Sequence, residues 1–166
     1  WTLSLMPALK DIVARMTPGA TVCIDMPIGL SADGFRACDR EARRLLGPRR
    51  SSVFPAPPRL AIAEAPYEAI HARSKKESGK GVSKQAFYLL PKIREVEHCV
   101  LQAETASLAW LETHPELCFA SLNAGIPMTY SKKTSDGYGE RFALIARFLG
   151  RRLLGELVAS FEATVT

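Results

Sequence analysis

The chain has 166 residues, the length of one domain with one core, and such a core buries roughly two thirds of the surface that the unfolded chain exposes. It is 47% hydrophobic and 23% charged, and no run approaches the ~20 apolar residues of a bilayer span, which excludes a membrane-spanning helix. Its 22 Lys and Arg against 17 Asp and Glu leave a net charge of +5, which admits a polyanionic partner without requiring one.

The first residue is Trp1, so a processed form or a fragment is expected. After Ser4, an N-cap residue type, Leu5, Leu9, Ile12, Val13 and Met16 recur at helical spacing, with Pro7 tolerable in the first turn. TPG at 17–19 ends that helix. TVCID at 21–25 is short, apolar and β-branched and lies between Gly19 and Pro27, so it reads as a buried strand ending on Asp25.

Helical spacing returns over residues 35–46. It puts Cys38, Ala42, Leu45 and Leu46 on one face and Arg36, Arg40, Arg43 and Arg44 on the other. Asp39 is placed to pair with Arg36 or Arg43, and Gly47 supplies the C-cap before Pro48. GPRRSSVFPAPPR at 47–59 then combines three arginines, Arg49, Arg50 and Arg59, and two serines with four prolines. Neither a helix nor a paired strand suits it, and a shaped loop is expected.

A charged helix over 66–78 closes at Gly79. Lys80 follows, but Ser74 and Gly81 stand where a phosphate-binding loop needs Gly and Ser or Thr, so that motif fails. Ala86, Leu89, Leu90, Ile93, Val96 and Val100 predict a core helix over 83–102, with Pro91 marking a kink or a fresh start. SLAWLET at 107–113 is the second strand, and a last helix is expected over 138–161, weakened at Gly150 and Gly155. The alternation of strands and helices argues for a single α/β domain over 1–166. Two strands make a thin sheet, so others are hidden or lie outside the chain.

Cys23, Cys38, Cys99 and Cys118 are far apart, with no CxxC pair or zinc spacing, and read as reduced, mostly buried thiols. With no basic, cleavable apolar leader, this agrees with a cytoplasmic location.

Asp25, at the end of a strand, is where α/β folds place ligands, and it could bind a cation or accept a proton; the alternative is a turn or capping aspartate. ETHPE at 112–116 brings Glu112, His114 and Glu116 to the end of the other strand as a metal or acid-base cluster. Its alternative is a helix start capped by His114, with Glu116 complementing the dipole. Arg49, Arg50, Ser51 and Ser52 suit phosphate, continuing the arginine stripe of Arg36, Arg40 and Arg43, and Lys132 with Lys133 could add a further contact. PAPP at 55–58 could instead present a polyproline ligand.

IDMPIGL, CDREARRLLGPRRSSVFPAPPR, LLPKIREVE, ETHPE with Phe119, and SKKT with Gly137 and Arg141 together resemble, in order and spacing, the family called domain of unknown function 429. Its members are commonly described as predicted nucleases with a ribonuclease H-like fold, and the resemblance covers about 22–149.

The resemblance implies an incomplete ribonuclease H-like fold, a mixed sheet flanked by several helices. It also implies a metal-dependent nuclease or related phosphodiesterase acting on nucleic acid with Mg²⁺ or Mn²⁺. Asp25 would be the strand-end metal ligand, Glu116 a second, and Asp25, Glu112, His114 and Glu116 the catalytic group; the arginines, Ser51, Ser52, Lys132 and Lys133 would grip the substrate backbone. The other reading is a non-catalytic nucleic-acid or phosphate-ligand binder using the arginine face.

Members of the family usually open with a strand carrying a glycine-flanked aspartate and close with a helix carrying another acidic residue. Here nothing precedes Trp1, and the tail offers Glu156 and Glu162, so a domain truncated at both ends is expected. Pairing of two chains along an exposed strand edge would then restore an incomplete site.

Overall fold

The computed structural model describes residues 4–32, 36–63 and 65–165, with side chains to residue 160. Trp1 lies outside the described residues, as does Phe35, the first residue of the second expected helix. The elements follow in the order α1 (Leu9–Val13), β1 (Thr21–Ile24), α2 (Ala37–Leu46), α3 (Tyr67–Ser78), α4 (Lys84–Leu101), β2 (Ala109–Glu112), α5 (Pro115–Leu122), α6 (Ser135–Leu149) and α7 (Arg151–Val165). Both expected strands form. They pair in parallel, with Thr21 opposite Ala109, Val22 opposite Trp110, Cys23 opposite Leu111 and Ile24 opposite Glu112.

The expected mixed sheet is not found: among the described residues the sheet is two parallel strands, and no hidden strand joins it. Parallel strands need a long crossover, and α2, α3 and α4 supply it. One face of the pair is left open, since Thr21, Cys23, Ala109 and Leu111 are all exposed. Among the described residues no helix is long and apolar enough to cross a membrane.

Two apolar clusters hold the helices. In the larger, Ala86, Leu90 and Ile93 of α4 pack with Ile70 of α3, Val82 and Ala61, and Met26 from the segment after β1 leans on the group. Ser83 caps α4 by accepting from the Ala86 amide, and the helix runs through Pro91. In the smaller, Ala42 and Leu46 of α2 meet Val53 and Ala120 of α5. Strand ends, α2 and α5 therefore share one side of the molecule.

Several local expectations change. The first helix is shorter, beginning at Leu9 with Ala8 rather than Ser4 as its N-cap, because Pro7 disfavours helical backbone at Met6. The loop after α2 is not free of helix: Gly47–Ser52 forms 3₁₀ turns, which tolerate Pro48 early and bend the chain more tightly than an α-helix. The last helix divides, because Gly150 adopts φ 81°, a left-handed conformation that ends α6 before α7 begins. Three of the four thiols, Cys23, Cys38 and Cys118, are exposed and only Cys99 is buried.

The arginine stripe also divides. In α2 the buried residues are Asp39, Ala42 and Leu46, while Cys38 and Leu45 are exposed. Arg36 turns inward to Asp39, Arg43 donates to the Val53 carbonyl at 2.6 Å, and Arg44 pairs with Glu41 on the surface. Arg40 remains outward. PAPP is scaffold rather than a presented ligand, since Ala56, Pro57 and Pro58 are buried.

Candidate functional site

β1 and β2 point the same way, so the residues that follow them emerge together. Asp25, Met26 and Pro27 after β1, and Glu112 to Leu117 at the end of β2 and the start of α5, line one cleft of about 460 Å³. Ligand sites of α/β folds lie in this position, outside the carboxyl ends of the strands. Arg36, Cys38, Asp39, Ser52, Val53 and Phe54 form the wall contributed by α2 and the turn after it, and Lys132 and Arg141 close the far side. All four residues of the expected catalytic group thus border the same space.

Their surroundings differ. Glu112 is held twice: the Ile28 amide donates to its Oε2 at 2.8 Å, and the Arg36 guanidinium donates to both its oxygens at 2.6 Å. Arg36 also donates to both oxygens of Asp39, whose Oδ2 accepts the Ala56 amide at 2.9 Å. One guanidinium therefore ties the end of β2 to the start of α2, and Asp39 ties both to the proline segment. Burial works against the charge of Arg36, but its hydrogen bonds to Glu112 and Asp39 outweigh this and raise its pKa further, so it stays charged at any working pH.

Glu116 is 4% exposed, and its two oxygens accept from Arg141 Nη2 at 2.8 and 2.7 Å. Arg141 donates in addition to the carbonyls of Gly137 and Tyr130 and lies over the Phe119 ring, 5.5 Å from its centroid. Gly137 permits this packing: a Cβ there would stand 1.9 Å from the Ser131 carbonyl oxygen. The loop bearing Lys132 is pressed against the first turn of α6 for that reason, with Thr134 capping the helix through the Gly137 amide.

His114 occupies the N-cap position of α5, but its side chain makes no capping bond. Its Nε2 is 3.2 Å from the Ser52 carbonyl, and a carbonyl only accepts, so the proton of a neutral ring sits on Nε2. Nδ1 then carries the lone pair, buried and without a hydrogen-bond partner among the described residues. Asp25 is exposed, and among the described residues no hydrogen bond or ion pair engages it. The turn-capping alternative for Asp25 is thus not used here.

The expected substrate-binding residues divide likewise. Ser52 and Lys132 line the cleft with Arg36, whereas Arg40, Arg43, Arg49, Arg50, Ser51 and Lys133 do not. Ser52 Oγ donates to the Arg49 carbonyl at 2.8 Å, and Arg49 is half-buried with Nε unpartnered. Arg40, Arg50, Ser51 and Lys133 are exposed away from the cleft wall. Lys132 is exposed at the cleft and forms no salt bridge among the described residues. Of the acidic tail residues, Glu156 pairs with Arg152 in α7, and the side chain of Glu162 lies outside the described residues.

Metal-ligand atoms of Cys38, Asp39 and Glu112 lie within 4.8 Å of one another, and no other such group of three occurs among the described residues. The charge at that point is already met by Arg36. The expected pairing of Asp39 with Arg36 forms, whereas Arg141 is the site-forming residue whose role, as the partner of Glu116, the sequence patterns did not single out. The available signal was a charged residue beside the apolar face of its helix, which demands a buried partner.

No curated protein and no solved structure matches the chain. The model of the family described as "protein of unknown function (DUF429)" matches residues 1–165, in agreement with the motif resemblance, and the chain belongs to that family.

Proposed function

We propose that the cleft takes a phosphodiester of nucleic acid and hydrolyses it with a divalent cation, Mg²⁺ or Mn²⁺, the two strands belonging to a ribonuclease H-like arrangement of strand-end acidic groups. The observation that supports this is the meeting, in one cleft, of Asp25 from the end of β1 with Glu112, His114 and Glu116 from the end of β2.

The donor set suits one cation and not two. Mg²⁺ is commonly held by one or two carboxylates, its shell completed by water and substrate phosphate, and Asp25 is a wall carboxylate that no guanidinium engages among the described residues. Glu116, the second ligand implied by the family resemblance, would have to give up Arg141 to join it. Bound at Asp25, the cation would stabilise charge developing on the phosphoryl oxygens.

The chain's own groups do the rest. Lys132, unpaired among the described residues, supplies a positive charge for phosphate. His114 borders the cleft with its proton on Nε2 toward the Ser52 carbonyl, but its Nδ1 is buried, so it would accept a proton from water or a hydroxyl only if the wall around it opened on binding. Arg36 keeps Glu112 and Asp39 in place, and Arg141 does the same for Glu116, so these pairs shape the wall rather than react.

One observation favours binding without cleavage as the second reading: Asp39, Glu112 and Glu116 are all neutralised by arginine, leaving little free acidic charge to hold metal. Labelled single- and double-stranded DNA and RNA, incubated with Mg²⁺ or Mn²⁺ and either the wild type or Asp25→Asn, separate the two. Metal-dependent cutting that the variant lacks is the expected result. Cutting that survives in the variant, or none by the wild type, overturns hydrolysis at this site; salt-sensitive binding without cutting leaves the second reading.

A further inference from the structure

Phe54 is 57% exposed in the wall of the cleft, yet its flanks are fixed. On one side Val53 is buried against α2 and α5, and its carbonyl accepts from Arg43 Nη1 at 2.6 Å. On the other side Ala56 is buried, and its amide donates to Asp39 Oδ2 at 2.9 Å. Asp39 is itself held by Arg36. With Pro55 between these anchors the backbone cannot roll to bury the ring, so Phe54 is displayed rather than left over.

The second aromatic of the wall, Phe119, has a face taken by the Arg141 guanidinium. Among the described residues no ring or cation covers Phe54. Leu89, 38% exposed, adds apolar surface to the same cleft, and Lys132 adds a positive charge. An open aromatic face and a basic group lining one cleft are the parts with which proteins hold single-stranded nucleic acid, the base stacked and the phosphate paired.

We propose that Phe54 is the stacking platform for one nucleobase of a single-stranded nucleic acid whose backbone phosphate pairs with Lys132. The inference rests on the phosphodiester reading of the cleft and narrows its substrate. A cleft of about 460 Å³ has the size of a site for one small molecule, whereas a base inside a duplex has both faces already covered.

The test compares a short oligothymidylate with an abasic strand of the same phosphate count, by fluorescence anisotropy with Ca²⁺ in place of Mg²⁺. The wild type should prefer the base-bearing strand by roughly 5- to 150-fold. Phe54→Ala should erase the preference while keeping the abasic affinity, and Phe54→Trp should retain it. Equal affinities in the wild type, or a preference that survives Phe54→Ala, overturn the stacking role and leave the phosphate reading standing. Binding of neither strand overturns both.

Discussion

Replacing Arg141 with methionine isolates the interaction on which the far wall of the cleft depends. Arg141 and Glu116 are 8% and 4% exposed, and both carboxylate oxygens accept from Nη2. Removing one partner of such a pair strands a buried charge and costs about 3–5 kcal/mol. The carbonyls of Gly137 and Tyr130 also lose their donor, at ~1 kcal/mol each. For a chain of this size 1 kcal/mol corresponds to ~2–4 °C in Tm, so the pair alone is worth a fall of roughly 6–20 °C.

Adding Glu116→Leu should recover most of the pair's share, because buried ion pairs replaced on both sides by apolar groups are often neutral, but not the two carbonyl contacts. Urea unfolding followed by circular dichroism measures this, with an unchanged slope expected for all variants. A loss below about 1 kcal/mol in Arg141→Met, or a double variant no more stable than the single, would refute the assignment of Glu116 to a structural pair.

Gly137→Ala would bring a Cβ to 1.9 Å from the Ser131 carbonyl oxygen, and because the neighbour is backbone the loop must move. A loss of ~1–3 kcal/mol is expected, together with weaker binding of oligonucleotide through the displaced Lys132; unchanged melting and affinity would contradict the packing account. Glu140 accepts the amides of Thr129 and Tyr130 at 2.8 and 3.1 Å, anchoring the other end of this loop. Burial pushes its pKa up but is outweighed by these hydrogen bonds and by the charge of Arg141, so it lies below the ordinary 4.5. A depressed folded value means that the stabilisation is full above 4.5 and is lost as pH falls through the folded pKa. Glu140→Gln should therefore be less stable than wild type near neutrality and match it in acid; a gap independent of pH would contradict this.

The elements that place the site were legible because their signals are local. A β-branched run between Gly19 and Pro27 makes β1, and Pro115 after His114 starts α5 where chain geometry puts a helix after a strand. Gly79 in a left-handed conformation ends α3 and Ser83 caps α4, each as its residue type foretells. The long-range partners were not legible. A helix wheel gives the angle at which Arg36 leaves α2, but not that Glu112, 76 residues later, stands there to receive it. Nor does it show that Arg141 reaches across 25 residues to Glu116, which is why a residue expected to hold metal is found holding a guanidinium. Gly150 was read as a weak point of one helix, but only its φ of 81° makes it the end of α6. Phe54 carried a signal in retrospect: next to buried Val53 and before prolines, it has no strand or helix face in which to hide.

The most direct test of the site is to titrate Mn²⁺ into the chain with and without a phosphorothioate strand that resists hydrolysis, comparing wild type with Asp25→Asn. A single free carboxylate that shares its cation with substrate phosphate should bind Mn²⁺ tightly only when the strand is present, and Asp25→Asn should abolish that coupling. Mn²⁺ binding that the strand does not enhance, or that Asp25→Asn leaves unchanged, would contradict the placing of the cation at the end of β1.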